Sequence, residues 1–258
     1  MSDLRKHQNF KISVICVFNE KKLLEDFLLS SLKKQGYKNY ELILVDSLNL
    51  GFDRASDALN YGYQKSNGDI LLFIHQDVEL LEESILSSIA EYSSKNEFGV
   101  AGVAGIVEKE NQVYSSVLQG KEKKTAGNII SRSLDVDSID ECMFFVKRDS
   151  FKCFDDLGKT WHLYAVNYSI KCKLSNEKVV IVPLPIYHFS PGWSLNDSYW
   201  NTVIKLGERY RGQINMIPTV FGIYPNTFLL PLYLYIKKKY IMVNESLKRK
   251  FKKENKNG

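Results

Sequence analysis

Three short apolar runs in the first third of this 258-residue sequence each end in side chains that can hold a metal or bind hydroxyls. ISVICV (12–17) leads into Phe18-Asn19-Glu20, ELILVD (41–46) ends in Asp46-Ser47, and DILLFIHQD (69–77) ends in His75-Gln76-Asp77. Carboxylates at such places repel a bare pyrophosphate. They suit a site in which one acid holds a divalent cation and another contacts the hydroxyls of a ribose or a base. Mg²⁺ and Mn²⁺ favour carboxylate oxygen, and the softer Mn²⁺ also accepts imidazole. A cation so placed neutralises charge that builds on a departing diphosphate. One polar strand end alone reads as a cap; three in succession point to a site.

Other phosphate-binding solutions fit poorly. FNEKKL, not G-x-G-x-x-G, follows the first run. Gly158-Lys159-Thr160 looks like the end of a P-loop, but Cys153 stands where its first glycine belongs. A nucleotidyltransferase would want a Gly-rich basic loop after the first run, and none is there. Cys16, Cys142, Cys153 and Cys172 form no CxxC pair and read as free thiols of a reducing compartment. The opening MSDLRKHQNF lacks the apolar centre of a signal peptide. The expected location is therefore cytoplasmic.

The elements that must carry these groups alternate. Leu23, Leu24, Phe27, Leu28 and Leu32 recur at helical spacing, and Gly36 closes that helix. A second helix is expected over about 53–65, a third over 79–94, and others over 161–174 and 195–210. Strands are expected at 12–17, 41–46, 69–77, 99–107, 142–147 and 178–183, with 108–137 a polar loop or hairpin. Continuous apolar runs are typical of parallel strands covered on both faces. The β-α-β-α-β order predicts an α/β fold with a mostly parallel central sheet flanked by helices, its ligand at the carboxyl ends of the strands.

The same residues resemble family 2 glycosyltransferases of the GT-A, nucleotide-diphospho-sugar transferase fold. ISVICVFNE resembles the family's opening strand and LILVDS its second. ALNYGYQKSNGDILLFIHQDV resembles its helix–Gly–strand–DxD block, in the subgroup that reads HQD. DECMFFVKRDSF and WHLYAVNYSIKCKLSNEKVVIVPLPIYHFSPG resemble the blocks on the acceptor side. The resemblance covers about residues 10–192. It implies an inverting, metal-dependent transfer of a sugar from a nucleoside diphosphate to a hydroxyl of a glycan or lipid-linked acceptor, as in polysaccharide biosynthesis; the acidic strand ends together with HQD point to a UDP- or dTDP-linked donor. It places Asn19, Glu20, Asp46, Arg54 and Asp77 around the nucleotide, and His75, Asp77 and His188 on the Mn²⁺ or Mg²⁺.

Two departures stand out. Asp46-Ser47-Leu48-Asn49 replaces the family's Asp-Asp-Gly-Ser, and Ala165 and Asn167 stand where its acids lie, one of them normally the general base. Neither can take a proton from the acceptor. Asp140 and His162 are the expected substitutes, His162 because it lies about one helical turn from Ala165. A non-catalytic nucleotide-sugar-binding homologue, acting as a partner or regulator, is the alternative.

The expected organisation is a transferase domain over 1–193 and a C-terminal segment over 194–258. Between Lys237 and Lys256 nine Lys/Arg stand against two acids, which exceeds the whole chain's net charge of +5 and leaves the rest slightly acidic. A nucleic-acid-binding face is therefore not indicated. Residues 212–236 carry no charge, a length sufficient to span a bilayer, but Pro218, Pro225 and Pro231 interrupt it. Packing on the core, or peripheral docking with aromatics among lipid headgroups and lysines on anionic lipid, fits better.

Overall fold

The computed structural model describes residues 10–190 and 195–241. The N-terminal decapeptide up to residue 9, the Pro191-Gly192 end of the acceptor-side block and the basic tail beyond 241 lie outside the described residues.

Seven strands form the central sheet, in the order β11-β14-β5-β13-β3-β1-β2. These are β1 (Ile12–Phe18), β2 (Tyr40–Asp46), β3 (Ile70–Ile74), β5 (Val100–Gly102), β11 (Leu134–Asp135), β13 (Met143–Lys147) and β14 (Val179–Ile181). Strand β1 is parallel to both β2 and β3, and β14 is parallel to β5. Strand β13 runs antiparallel between β3 and β5, and β11 antiparallel at the edge. Five strands thus share one direction, as the apolar runs predicted.

Only residues 140–142 join β13 to β12 (Ser138–Ile139), a strand of a different sheet. The reversal of β13 sets the geometry of the site. Met143, at the start of β13, pairs with Ile74, at the end of β3. The 140–142 turn therefore sits at the same edge as the carboxyl ends of β1, β2 and β3.

Both faces of the sheet are covered. Ile12, Val14, Cys16, Leu72, Met143 and Phe145 face one apolar cluster, while Ile15, Leu71, Phe73, Phe144 and Val146 face the other. This is the period-two alternation of a strand, hidden in the sequence because neither face meets water. Helix α1 runs through Lys21–Leu23, a π-helical stretch Leu24–Leu29 and Ser30–Lys33; α3 (Ile85–Lys95) covers the same side. Helices α2 (Ala55–Lys65) and α4 (Tyr164–Leu174) cover the opposite side.

Gly68 fits this packing tightly. A Cβ there would lie 2.6 Å from the Lys11 carbonyl oxygen and 2.7 Å from the Ser13 backbone nitrogen. Backbone cannot swing aside as a side-chain tip can, so overpacking costs about 1–3 kcal/mol. Gly68→Ala is expected to lower the thermal midpoint by several degrees in a calorimetric scan; an unchanged midpoint would show that the β1 end yields freely.

Elsewhere the structure departs from the expected elements. The 69–77 run is a strand only to Ile74, and Val78–Leu80 (β4) is a strand rather than the start of α3. The 99–107 run breaks at Val103 into β5 and β6 (Ala104–Val107), which belong to different sheets. Its small residues are needed there: a Cβ on Gly105 would lie 2.6 Å from the Ser138 carbonyl oxygen as β12 passes. The polar stretch 108–137 is not one hairpin. It forms β7 (Gln112–Ser115), β8 (Val117–Gln119), β9 (Lys124–Thr125), β10 (Asn128–Ile129) and then β11. These strands build a sheet β10-β7-β6-β12 and, with β15 (Ile186–His188), a sheet β4-β15-β8-β9.

After residue 194 come α5 (Asp197–Arg209), a hairpin of β16 (Met216–Thr219) and β17 (Gly222–Pro225), and a helix over 230–241, here α6. This segment shares a core with the preceding part. Leu163, Val166 and Ile170 of the α4 region pack against Tyr199, Val203, Ile217 and Leu230. Among the described residues, no helix is long and apolar enough to cross a membrane.

Candidate functional site

Two cavities open at the carboxyl edge of the parallel strands. The first, of about 300 Å³, is lined by Phe18, Asn19, Ser47, Leu48, Phe52 and Phe73 among others. The second, of about 540 Å³, is lined by Gln119, Asp140, Glu141, His162, His188 and Phe221 among others. Both share His75, Asp77 and Trp161 as wall residues. A ligand filling both would cross the His75–Asp77 position.

That crossing point holds a group of side chains that could bind a metal ion. One donor atom from each of His75, Asp77 and His188 lies within 4.8 Å of the others. Strand β3 delivers His75. Strands β4 and β15 pair antiparallel with His188 opposite Val78, which sets His188 beside Asp77, far away in sequence. His188 Nε2 lies 3.4 Å from Asp77 Oδ1 and is buried without a hydrogen-bond partner. The second oxygen, Asp77 Oδ2, accepts the Ser190 N–H at 3.1 Å. His75 Nε2 meets the Tyr164 hydroxyl at 2.9 Å, and the Tyr fixes its ring.

Electrostatics favour the ligand-competent forms. Burial, then the neighbouring His188, lowers the His75 imidazole, which therefore stays neutral. Burial alone would raise the Asp77 carboxyl; the adjacent His188, with His75, outweighs it and holds the group at about 2. An ionised carboxylate, a neutral imidazole and an orphaned imidazole nitrogen form an O,N,N donor set, which fits Mn²⁺ better than Mg²⁺.

The chain matches a family known as the glycosyltransferase-like family over residues 13–213. It belongs to that family. The match takes in the whole lining of the first cavity and all of the second but Val220 and Phe221, and runs on through α5. Among solved structures, the fold is similar to the mannosyltransferase PcManGT of Pyrobaculum calidifontis, solved in complex with GDP-Man and Mn²⁺. The TM-score is 0.50 at 13% identity, over 78% of this chain and 62% of that one. The chain thus spans less than two thirds of that structure's length. The likeness establishes the GT-A type of fold. Among curated proteins, no sequence matches the chain.

The remaining sequence-predicted residues of this family member divide. Asn19 lines the first cavity, and Asp140 and His162 line the second. Asp140 Oδ1 accepts the Cys142 N–H at 3.0 Å, and His162 is hydrogen-bonded to Asn196 while burial lowers its imidazole. Glu20, Asp46 and Arg54 stand outside both linings. The Asp46 carboxylate is taken by Asn49, which donates its N–H at 2.9 Å and its side-chain amide at 2.7 Å. Arg54 pairs with Asp156 at 2.7 Å. Their neighbours Ser47, Leu48, Phe52 and Ala55 face the cavity instead.

The positions that lack the family's acids are absorbed by packing. Ala165 is fully buried. Asn167 donates to Asp155 at 2.9 Å and accepts the Tyr210 hydroxyl at 2.7 Å, bracketing α4 to the end of α5.

Three contributors had no role in the sequence reading. Gln76, the middle residue of HQD, accepts the N–H groups of Asn19 and Glu20 at 3.0 and 2.9 Å and donates to Asn19 Oδ1 at 2.7 Å. It locks the turn after β1, and its place between His75 and Asp77 was the available signal. Trp161 forms a wall common to both cavities. Glu141 lines the second cavity, and its only sequence signal was adjacency to Asp140.

Proposed function

We propose that the protein is an inverting glycosyltransferase that moves a sugar from a nucleoside diphosphate donor to a hydroxyl acceptor with a divalent cation. The meeting of two cavities at His75, Asp77 and His188 carries this reading. The first cavity takes the nucleoside. Asn19 and the Asp46–Leu48 turn contact the base and ribose, with Glu20 and Arg54 at the rim. His75, Asp77 and His188 hold the cation, in a subgroup marked by HQD. The cation supplies charge neutralisation to the departing diphosphate. The second cavity takes the acceptor, positioned by Asp140 and His162. That PcManGT was solved with GDP-Man and Mn²⁺ supports the donor class and Mn²⁺. A panel of UDP-, dTDP- and GDP-sugars, assayed for nucleotide release with Mn²⁺ and with EDTA, tests the proposal. Release with one donor that stops on chelation is expected. Release unaffected by EDTA would remove the metal, and none with any donor would leave a non-catalytic binding homologue.

The acceptor is lipid-linked, and the 194–258 segment docks on membrane. In α6, Leu230 and Leu234 are buried, while Leu232, Tyr235, Ile236 and Tyr240 are exposed, with Phe228 and Leu229 just before them. Contiguous exposed apolar residues of this kind mark interaction surfaces. Lys237, Lys238 and Lys239 adjoin it, and six more Lys/Arg follow by residue 256. This combination suits an anionic lipid surface. The hairpin next to α6 puts Phe221 on the wall of the second cavity, which links that face to the acceptor side. The full chain is expected to co-sediment with phosphatidylglycerol vesicles at low salt. Leu232→Asp with Ile236→Asp should leave most of it in the supernatant. Equal pelleting of both proteins would overturn the docking face.

A further inference from the structure

Resting on the transferase reading, we infer that Glu141 is the general base, doing from the β12–β13 turn what the missing acids of α4 cannot do. The acceptor oxygen forms its bond to the anomeric carbon as the bond to the diphosphate breaks. The diphosphate leaves with that electron pair, and the hydroxyl proton passes to the Glu141 carboxylate.

Four observations converge on this side chain. It lines the second cavity, whose wall also holds His75 and Asp77. Its Oε1 is sealed from solvent, with no hydrogen-bond partner. Such an atom in a cavity wall lacks a donor that a hydroxyl can supply. The carboxyl also faces the backbone N–H groups of Leu163, Tyr164 and Ala165, which open α4. It thus comes to the backbone of one of the positions where the family's acids lie, Ala165, from a different element. Finally, its immediate setting tunes it toward proton uptake. Burial, then the charge of Asp140, pushes its pKa well above the usual carboxylate range, against the α4 N–H groups. A carboxylate whose pKa is raised is a stronger base than an ordinary one.

Asp140 is the nearer alternative by sequence. One of its oxygens already accepts the Cys142 N–H, so it shapes the turn that presents Glu141. A purely structural role for Glu141 is the competing explanation. Leu163, the residue before α4, has φ +64° and gives the helix no side-chain cap, so an acceptor from elsewhere is useful there. Glu141→Gln separates the two roles. The amide oxygen still accepts the α4 N–H groups, but it takes up no proton.

The experiment compares nucleotide release by wild type and E141Q, with the donor found in the panel, Mn²⁺ and water as acceptor, across pH 5–9. Calorimetry with the matching nucleoside diphosphate confirms that binding is kept. Release is expected to fall by about 10²- to 10⁴-fold in E141Q. The wild-type rate should rise with pH along an acid limb that E141Q lacks, because only the ionised carboxylate accepts the proton. The groups facing Glu141 are Asp140 on its own turn, Tyr164 of α4 and Tyr199 of α5. The phenols are raised by burial and do not titrate in this window. Azide has no proton to lose, so added azide should restore turnover of E141Q as the glycosyl azide. Unchanged release in E141Q, or a large loss that azide leaves in place, would overturn the base assignment while the transferase reading stands. Absence of release by wild type with every donor would overturn both.

Discussion

Asp77→Ala is expected to abolish metal-dependent donor turnover, with a loss of about 10³-fold or more. Asp77 is the one carboxylate of the triad and is only 9% exposed. Without it two imidazoles remain, with no negative charge to balance a divalent ion. Replacing a residue that merely orients a metal ligand already costs about 10–100-fold in affinity. Removing a ligand and its charge costs more, because the ion's help to the leaving diphosphate is worth several kcal/mol, and each 1.36 kcal/mol is tenfold in rate. The same change frees the Ser190 N–H from Asp77 Oδ2 and removes the anion beside His188. Circular dichroism should show an intact fold, since both cavities are walled by other elements. Turnover that keeps its Mn²⁺ dependence in this variant would displace the metal from the triad.

Phe145→Ala is expected to give the largest loss of stability of the changes considered, about 3–5 kcal/mol. Phe145 is fully buried at the centre of β13, the strand that joins the two parallel parts of the sheet. Its ring meets Phe98 and Tyr92 edge-on, with centroids 5.5 and 6.3 Å apart. Its neighbours are strand and helix residues of a continuous core, so the void cannot collapse cheaply. For a domain of this size each kcal/mol shifts the midpoint by about 2–4 °C, so a fall near 10 °C is expected in a thermal scan. A fall of only a degree or two would show that β13 repacks. The variant lines neither cavity, so donor binding in the surviving folded protein should match wild type.

Much of this architecture was legible in the residues. Apolar runs located β1, β2, β3, β13 and β14, because strands covered on both faces, as β1, β3, β13 and β14 are, need few polar residues until they end. For the same reason, polar groups at 19, 46–47 and 75–77 marked one edge of the sheet. Boundaries were less legible where a run served two elements. The 99–107 stretch reads as one strand, yet the chain leaves one sheet for another at Val103, and only the partners reveal it. Asp46 shows a different limit. A carboxylate at a strand end can face a ligand or close its own turn, and Asn49, three residues on, drew it into the turn.

The sequence by itself determined the α/β class, the edge that carries the polar groups and the residue types of a candidate cation site, since these follow from local periodicity and ligand chemistry. Tertiary structure alone decided which distant groups meet. His188 reaches Asp77 through the β4–β15 pairing, a register that no local pattern encodes. Glu141 reaches the second cavity because β13 pairs antiparallel with β3, Met143 opposite Ile74, which puts the 140–142 turn at the ligand edge. Acids absent from α4 look like a lost function in one dimension. In three dimensions a carboxylate from another element faces the same helix end, because chemistry depends on where an oxygen lies and not on the chain that brings it.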